Sequence, residues 1–293
     1  MLIILIPFLV SIIFWLWIIL KFDKFEREPI KSILFVFIIG GLISSISAGL
    51  LNQLFILVSG HYLDLGLAEN LNTEKSLLFY GFVGINEELL KAAVTILLIR
   101  KMKDFNEPAD ALVYAMTVAF GFATFENIIY SIKFGLLTFY IRQFNAVPLH
   151  IGLAAIWGIG IAKARFLHQG KYFINVVPYL LIAAFIHTFY NISITLITNP
   201  ILSFLLLLII TFLLIRFAIR KIKRYAGDGP FSNRLFCHSC NTVNFPFEKS
   251  CKKCGQKFDL EFYVLCNNCN FKVINAASYC PKCGAVTGNK TPG

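Results

Sequence analysis

Two adjacent glutamates and a lysine lie in the middle of an apolar stretch of this chain. Glu87 and Glu88 interrupt the segment from about residue 76 to residue 99, and Lys91 follows them by four and three residues. In a helix these spacings let one ammonium group reach either carboxylate. Because bilayer hydrocarbon does not solvate charge, ionisable groups at such a depth are functional by default. A purely structural ion network among the three residues is the alternative.

Three more polar groups interrupt other apolar segments. His187 and Asn191 are four residues apart, so they share a helical face. A histidine such as His150, taken alone, is more typical of a hydrogen-bonded packing residue than of a ligand. Two histidines, three glutamates and two amides on four predicted helices nevertheless form a strong constellation. The additional motifs are Phe122 with Glu126 and Asn127, His150 with Gly158, and His187 with Asn191.

The residue types in this constellation suit hydrolysis. A partly buried carboxylate, Glu87 or Glu88, can act as the general base that activates water, while the other stays paired with Lys91. His187 and Asn191 can hold the water or stabilise a tetrahedral oxyanion. A catalytic metal is the alternative, because zinc accepts two histidines and a glutamate and keeps a fourth position for water. His150, His187 and one glutamate would supply those ligands.

Several other hydrolase signatures are missing from the sequence. It contains no HExxH helix and no GxSxG nucleophile elbow. All eight cysteines lie after residue 236, so no thiol nucleophile is available in the apolar region. No glycine-rich phosphate loop occurs either. Among hydrolytic mechanisms, the residues therefore favour water activated by a carboxylate or by a metal.

The composition requires a membrane to surround most of the chain. Of its 293 residues, 57% are hydrophobic and only 15% are charged, and the mean hydropathy is +0.72. A spanning helix needs about 20 mostly apolar residues. We therefore predict an all-α polytopic integral membrane protein with about seven transmembrane helices. The predicted spans are residues 2–20, 33–58, 76–99, 109–131, 148–167, 174–197 and 201–219.

The loops between these spans differ in positive charge. Basic residues concentrate in alternate loops and after the seventh span, and the net charge of +11 belongs mostly to the tail. For a protein of the cell membrane, the positive-inside rule then predicts that the N-terminus lies outside the cell and the tail lies in the cytoplasm. The first span lacks the basic flank of a cleaved signal peptide, so we expect it to be retained. In this orientation the polar groups gather in the middle and outer half of the bilayer.

The tail contains a repeat of paired CxxC motifs. Each cysteine of the first set precedes its counterpart by 29 residues. Two such knuckles supply four thiolates for tetrahedral zinc, and a reducing cytoplasm keeps them unpaired. We predict two structural Zn²⁺ ions, one in a ribbon at 236–256 and one in a ribbon at 264–286. The transmembrane core would cover residues 1–220, and a basic linker at 221–235 would join it to the ribbons. The ligands would be Cys237, Cys240, Cys251, Cys254, Cys266, Cys269, Cys280 and Cys283.

The order of these motifs resembles the PrsW family of intramembrane proteases. The motifs are EExxK starting at Glu87, FxxxEN starting at Phe122, His150 with a glycine eight residues later, and HxxxN starting at His187. The resemblance covers about residues 1–200 and implies an endopeptidase that cuts in or near the membrane, with Glu87 and Glu88 essential. Family members are often labelled metalloproteases, yet the related prenyl endopeptidases resemble glutamate-based enzymes. We favour glutamate without metal.

The resemblance also implies partners for this chain. The expected substrate is a membrane-associated protein, with an anti-sigma-factor-like protein as the model. Independently of the resemblance, we expect the ribbons to have a structural role or to dock a cytoplasmic protein, and their aromatic spacing offers no RNA-stacking motif that would favour nucleic acid. In the predicted site, Lys91 tunes the glutamates, Phe122 packs, and the remaining polar residues orient or stabilise the reacting groups. These remaining residues are Glu126, Asn127, His150, His187 and Asn191.

Two other functions stay open at the level of sequence. A non-enzymatic membrane sensor or scaffold would use the ribbons for docking and the polar cluster for structure. An ion or proton transporter would use the glutamates and histidines as a relay. The spans show no evident inverted repeat, which argues against transport.

Overall fold

The chain folds as a bundle of long helices followed by two small cysteine-rich modules. The computed structural model describes residues 2–21, 27–59, 73–167 and 171–228, and short stretches of the tail between residues 235 and 286. The helices are α1 (Leu2–Lys21), α2 (Ile30–Phe35), α3 (Gly41–Val58), α4 (Thr73–Ile99), α5 (Pro108–Phe134), α6 (Leu136–Phe144), α7 (Ala146–Ala162), α8 (Tyr172–Leu196) and α9 (Pro200–Asp228). Short π-helical segments join α2 to α3 (Val36–Gly40) and extend α7 (Lys163–Leu167).

The helices confirm the predicted all-α membrane fold. Within the described residues, five helical segments are long and apolar enough to cross a bilayer: Ile30–Val58, Pro108–Phe134, Leu136–Phe166, Tyr172–Ile194 and Pro200–Ala226. The apolar part of α1, Ile6–Lys21, is shorter. Helix α4 has 27 residues, and Glu87, Glu88 and Lys91 interrupt its apolar character. The protein is therefore polytopic, and the total of seven spans stays a prediction.

Helix α7 forms the centre of the bundle. Every one of its 17 residues is buried, and it packs against α5, α8 and α9. Its sequence is apolar on all sides and rich in alanine and glycine, which is the pattern of a helix surrounded by other helices. Helices α1, α3, α8 and α9 instead expose many large apolar side chains on their outer faces. This arrangement places any polar residue of α7 deep inside the protein.

Helix α6 occupies a segment that the sequence analysis treats as a loop. It begins after Gly135, whose φ of 86° lies in the left-handed region, and ends at Phe144. Its one buried residue is Phe139, whose ring lies 4.2 Å from that of Phe8 on α1. The helix is strongly amphipathic, and its polar face carries Arg142. Arg142, which lies between two predicted spans, thus acquires a fixed position on a helix.

Helix α9 continues beyond the predicted span. It ends at Asp228, so the first part of the predicted basic linker is helical. Ile222 and Ala226, on this extension, are buried in the protein. Lysine and arginine are good helix formers, and the apolar residues between them give the extension a face that packs.

The tail contains two similar β-hairpins. Strand β1 (Leu235–Phe236) pairs antiparallel with β2 (Val243–Asn244), and β3 (Tyr263–Leu265) pairs with β4 (Lys272–Ile274). A second knuckle follows each hairpin, closed by the bridges Ser250 to Lys257 and Tyr279 to Val286. The sequence repeat is therefore also a structural repeat.

Candidate functional site

The site begins at a close contact between α4 and α8. A Cβ atom on Gly84 would collide with Oγ1 of Thr188 and would lie 2.9 Å from the carbonyl oxygen of Ala184. Small residues permit such close packing of helices in membranes. Glu88 lies one turn beyond Gly84 and His187 directly precedes Thr188, and Nδ1 of His187 lies 2.9 Å from Oε1 of Glu88. The glycine thus sets the distance between the two polar motifs.

Glu88 has hydrogen-bond partners at both carboxylate oxygens. Lys91 Nζ donates to Oε1 at 2.6 Å, and Trp157 Nε1 donates to Oε2 at 2.9 Å. The side chains of Glu88 and Lys91 are both fully buried. A buried ion pair is tolerated when further hydrogen bonds satisfy its remaining atoms, and here the indole and His187 do so.

Glu87 is held far more loosely than its neighbour. Its Oε1 accepts one long hydrogen bond of 3.4 Å from Asn52 Nδ2. Asn86 Nδ2 donates to Oδ1 of Asn52 at 2.8 Å and so orients that amide. Within the described part of the chain, Oε2 of Glu87 has no hydrogen-bond partner, and His187 Nε2 lies 3.8 Å from it. The two adjacent glutamates therefore have different environments.

His150 lies between a cation and a carboxylate. Its Nδ1 is 2.9 Å from Lys91 Nζ, and its Nε2 is 3.1 Å from Oε2 of Glu126. With Lys91 as an ammonium group, which only donates, Nδ1 accepts and the Nε2 proton points to Glu126. The rings of His150 and His187 are 5.1 Å apart and nearly perpendicular. The two histidines thus face the same buried space.

Arg142 of α6 binds the carboxylate on the far side of His150. Its Nη2 donates to Oε2 of Glu126 at 2.6 Å, and its Nε donates to Oδ1 of Asn127 at 2.5 Å. The guanidinium group also lies 4.0 Å from the centre of the Tyr130 ring. Such a combination of charge-assisted hydrogen bonds and stacking fixes the orientation of Glu126.

The structure brings most of the predicted residues into one cluster. Glu87, Glu88, Lys91, Glu126, His150 and His187 form a connected set, and Asn127 joins it through Arg142. Phe122 packs as expected, with its ring 4.4 Å from Lys91 Nζ. Asn191 lies one turn beyond His187 on α8 and is half-buried. The catalytic roles of all these residues stay predictions.

Sequence reasoning missed four residues that hold the cluster. These are Asn52, Asn86, Trp157 and Arg142. Asn52 and Asn86 interrupt predicted spans, so their polarity at that depth was an available signal. Trp157 gave none, because an indole in an apolar helix is ordinary. Arg142 could be found only once its segment was known to be helical.

Three of these side chains match the ligand set of a catalytic metal. Donor atoms of Glu87, His150 and His187 lie within 4.8 Å of one another, all three residues are buried, and Oε2 of Glu87 has no partner in the described structure. Zinc binds such sets. However, both nitrogens of His150 already face Lys91 and Glu126, so this histidine binds a metal only if one contact breaks.

The cysteines of the tail form two further candidate metal sites. The described triads are Cys240, Cys251 and Cys254, and Cys266, Cys280 and Cys283. Cys237 and Cys269 lie outside the described residues. The sulfur atoms of Cys240 and Cys251 are 3.5 Å apart, and those of Cys266 and Cys283 are 3.6 Å apart. Disulfide sulfurs are about 2 Å apart, whereas thiolates around zinc lie roughly 3.8 Å apart, given Zn–S distances of about 2.3 Å. Both triads can therefore hold structural zinc.

Comparison with known proteins agrees with this site. The model of a family described as "PrsW family intramembrane metalloprotease" matches residues 28–218, which include every residue of the cluster and exclude the cysteine-rich tail. No solved structure matches.

The similar curated proteins all carry the name Protease PrsW. The protein of Clostridioides difficile (strain 630) is 30% identical over 55% of this chain and 64% of its own length. That of Bacillus subtilis (strain 168) is 26% identical over 60% of this chain and 76% of its own length. That of Geobacillus kaustophilus (strain HTA426) is 27% identical over 58% of this chain and 69% of its own length. Because the family model covers more than half of the residues of the present chain, this chain belongs to the PrsW family.

Proposed function

We propose that this protein is an intramembrane endopeptidase that hydrolyses a peptide bond of a membrane protein with water activated by Glu87. The single observation that carries the proposal is that Oε2 of Glu87, beside His187 in a buried polar cluster, has no hydrogen-bond partner among the described residues. A general base needs a free acceptor within reach of the water it deprotonates. Membership of a protease family supports the class of reaction.

Glu88 has a different role in this proposal. Both of its oxygens accept hydrogen bonds, so it is poorly placed to take a proton from water. It acts instead as a fixed negative charge that balances Lys91 and holds the Nδ1 proton of His187. His187 then presents the lone pair of Nε2 toward Glu87. A water between these two groups would be oriented for attack on a carbonyl carbon.

The tetrahedral intermediate needs hydrogen-bond donors for its oxyanion. Asn127 Nδ2 has no partner in the described structure, so this amide supplies a donor that substrate can use. Lys91 supports the same step, because its ammonium places positive charge beside His150. Glu126 keeps His150 in one tautomer. Asn191, one turn from His187, is the second amide that we assign to orienting the reacting groups.

A metal-assisted reaction is the competing mechanism at the same site. Glu87, His150 and His187 would hold the ion, which would supply a metal-activated water. The present contacts of His150 oppose it, because a metal bound through Nδ1 would displace Lys91 and one bound through Nε2 would displace Glu126. We therefore favour glutamate-activated water.

Zinc content distinguishes the two mechanisms. We expect about two zinc ions per chain in protein purified without chelator, because only the four-cysteine modules hold structural zinc. Replacement of Cys251 and Cys280 by serine should remove both ions, as measured by elemental analysis. A third ion that persists in this variant and disappears in His187→Ala would contradict the metal-free mechanism.

The orientation and the partners belong to the same proposal. The proposal has the N-terminus outside the cell and the tail in the cytoplasm, and the basic residues in alternate loops support this orientation. The substrate would be a membrane protein like an anti-sigma factor, cut in the middle or outer half of the bilayer. The ribbons would bind a cytoplasmic protein rather than nucleic acid.

The proposed activity can be tested without a known substrate. New protein N-termini are mapped by mass spectrometry in membranes of cells that express wild type or a Glu87→Gln/Glu88→Gln variant at equal levels. We expect a set of termini, within or near membrane segments, that only the wild type produces. Identical maps under several stress conditions would refute the endopeptidase proposal and favour a scaffold.

Arg142 offers a test of the support for Glu126. Arg142→Ala should slow appearance of the wild-type-specific products by about tenfold, because Glu126 and Asn127 lose a charge-assisted donor. Arg142→Lys keeps the charge and should recover part of the rate. Rates are measured after induction of each variant, with Lys133→Ala as a control for loss of a basic residue from the same region. Equal rates for Arg142→Ala and wild type would exclude this contribution.

A further inference from the structure

The two cysteine modules share one knuckle geometry. In each knuckle, the backbone amide of the glycine donates at 2.8 Å to the carbonyl of the first cysteine, which is Cys251 for Gly255 and Cys280 for Gly284. Both glycines have a φ of 73°. The amide of the first cysteine also donates at 2.7 Å in both knuckles, from Cys251 to the carbonyl of Gln256 and from Cys280 to that of Ala285. The backbone therefore gives no reason for the modules to behave differently.

The side chains that flank the two knuckles differ in polarity. Positions 29 residues apart are equivalent in the repeat. The first knuckle is polar at three of them and the second is apolar at the same three. The pairs are Ser250 and Tyr279, Gln256 and Ala285, and Lys257 and Val286. Tyr279 and Ala285 are buried, whereas Val286 is 45% exposed, so burial accounts for the apolar character of two of the three positions.

The second knuckle packs against the π-helical segment that extends the carboxyl end of α7. Tyr279 is only 4% exposed and belongs to the main hydrophobic core of the membrane helices. Its ring lies edge-on to that of Phe166 at 6.2 Å, and Phe166 in turn packs edge-on to Phe105 at 5.3 Å. A Cβ atom on Gly284 would collide with the carbonyl oxygen of Arg165. The contact is thus too close for any residue but glycine.

The first knuckle has no such contact in the described structure. A Cβ atom on Gly255 would meet no atom within 4 Å. The described residues 253–257 are all exposed. The same backbone turn is therefore docked in one module and open in the other.

From this asymmetry we infer that Phe105, Arg165 and Phe166, here called the α7 end surface, form a docking surface for the zinc-loaded second module. Tyr279 directly precedes the ligand Cys280, and Gly284 directly follows the ligand Cys283. Small zinc modules fold only around their metal, so zinc fixes both contact residues in place. The first module keeps an exposed polar face, which fits a partner of polar surface rather than the membrane core.

This docking ties zinc loading to the helix that carries His150. Helix α7 is buried along its whole length, and the second module holds its carboxyl end while His150 lies near its other end. The family model ends at residue 218, so the docked module is an addition to the shared membrane core. The inference does not depend on the proposed proteolysis.

Hydrogen exchange of the full chain in lipid nanodiscs tests the docking. Cys283→Ser and Cys254→Ser each remove one ligand from equivalent positions of the two modules. We expect backbone amides of residues 163–167 to exchange at least about tenfold faster in Cys283→Ser, because their cover is lost, and at the wild-type rate in Cys254→Ser. Equal exchange rates in the two variants would overturn the inference.

A second matched pair separates docking from zinc binding. Gly284→Ala and Gly255→Ala carry the same backbone strain at positive φ, but only the first collides with Arg165. We expect faster exchange at residues 163–167 only in Gly284→Ala, with zinc content equal in both. If Gly284→Ala loses zinc, Tyr279→Ser, which installs the residue of the first module, replaces it in the comparison. Wild-type protection in the zinc-loaded variant would overturn the proposal.

Discussion

Glu87→Gln is expected to lower the rate of peptide cleavage by about 10³-fold while leaving the protein folded. The amide keeps the shape and the weak hydrogen bond of the carboxylate to Asn52, but it cannot accept a proton from water. Little stability should be lost, because Oε2 of Glu87 has no hydrogen-bond partner in the described structure. The measurement is the rate at which the wild-type-specific products appear after induction.

The matched control for this change is Asp104→Asn. It also replaces a carboxylate by an amide, and its contact with Ser32 Oγ lies outside the cluster. We expect Asp104→Asn to cleave at the wild-type rate. Cleavage by Glu87→Gln within a factor of about three of wild type, at equal protein levels, would show that Glu87 is not the base.

The sequence predicted the membrane part of this fold because length and apolarity are local properties. Each of the seven predicted spans lies almost entirely within one helical segment, to within a few residues at either end. Helix α6 was missed because nine residues between two spans carry too weak a pattern to be separated from a loop. The extension of α9 was missed for a related reason, since its basic residues resemble a solvated linker and only its packing shows otherwise.

The sequence also predicted which polar residues gather, but not how they divide the work. Polar residues are costly in a bilayer, so Glu126, His150 and His187 indicated a site when taken together, although each of them alone was a weak signal. Whether Glu87 or Glu88 has the free oxygen depends on Trp157 and Asn52, which come from other helices. Those contacts depend on how the helices pack against one another, which the pattern of a single segment does not show. The docking of the second module was hidden for the same reason, although the change from Ser250 to Tyr279 within the repeat was a visible signal.

Glu88→Gln should affect stability as well as activity, unlike Glu87→Gln. The change leaves the ammonium of Lys91 fully buried without a negative charge in contact, and breaking a buried ion pair in this way costs about 3 kcal/mol. The amide has a single acceptor oxygen, so it cannot accept from Lys91, His187 and Trp157 together as the carboxylate does, and a buried donor is left facing its NH2 group. We therefore expect a clearly lower thermal midpoint for purified Glu88→Gln in detergent, and no detectable cleavage.

A double variant shows whether the unpaired charge is the cause. Glu88→Gln/Lys91→Met removes both charges and fills similar volume, so much of the stability should return because a buried ion pair can often be replaced without loss. Cleavage should not return, because His150 loses its Nδ1 donor and His187 its carboxylate partner. This separation distinguishes a site in which one glutamate reacts and the other supports it from one in which the two are equivalent. Equal loss of stability in Glu87→Gln and Glu88→Gln would show that they are equivalent, since of these two glutamates Glu88 alone forms an ion pair with the buried lysine in the described structure.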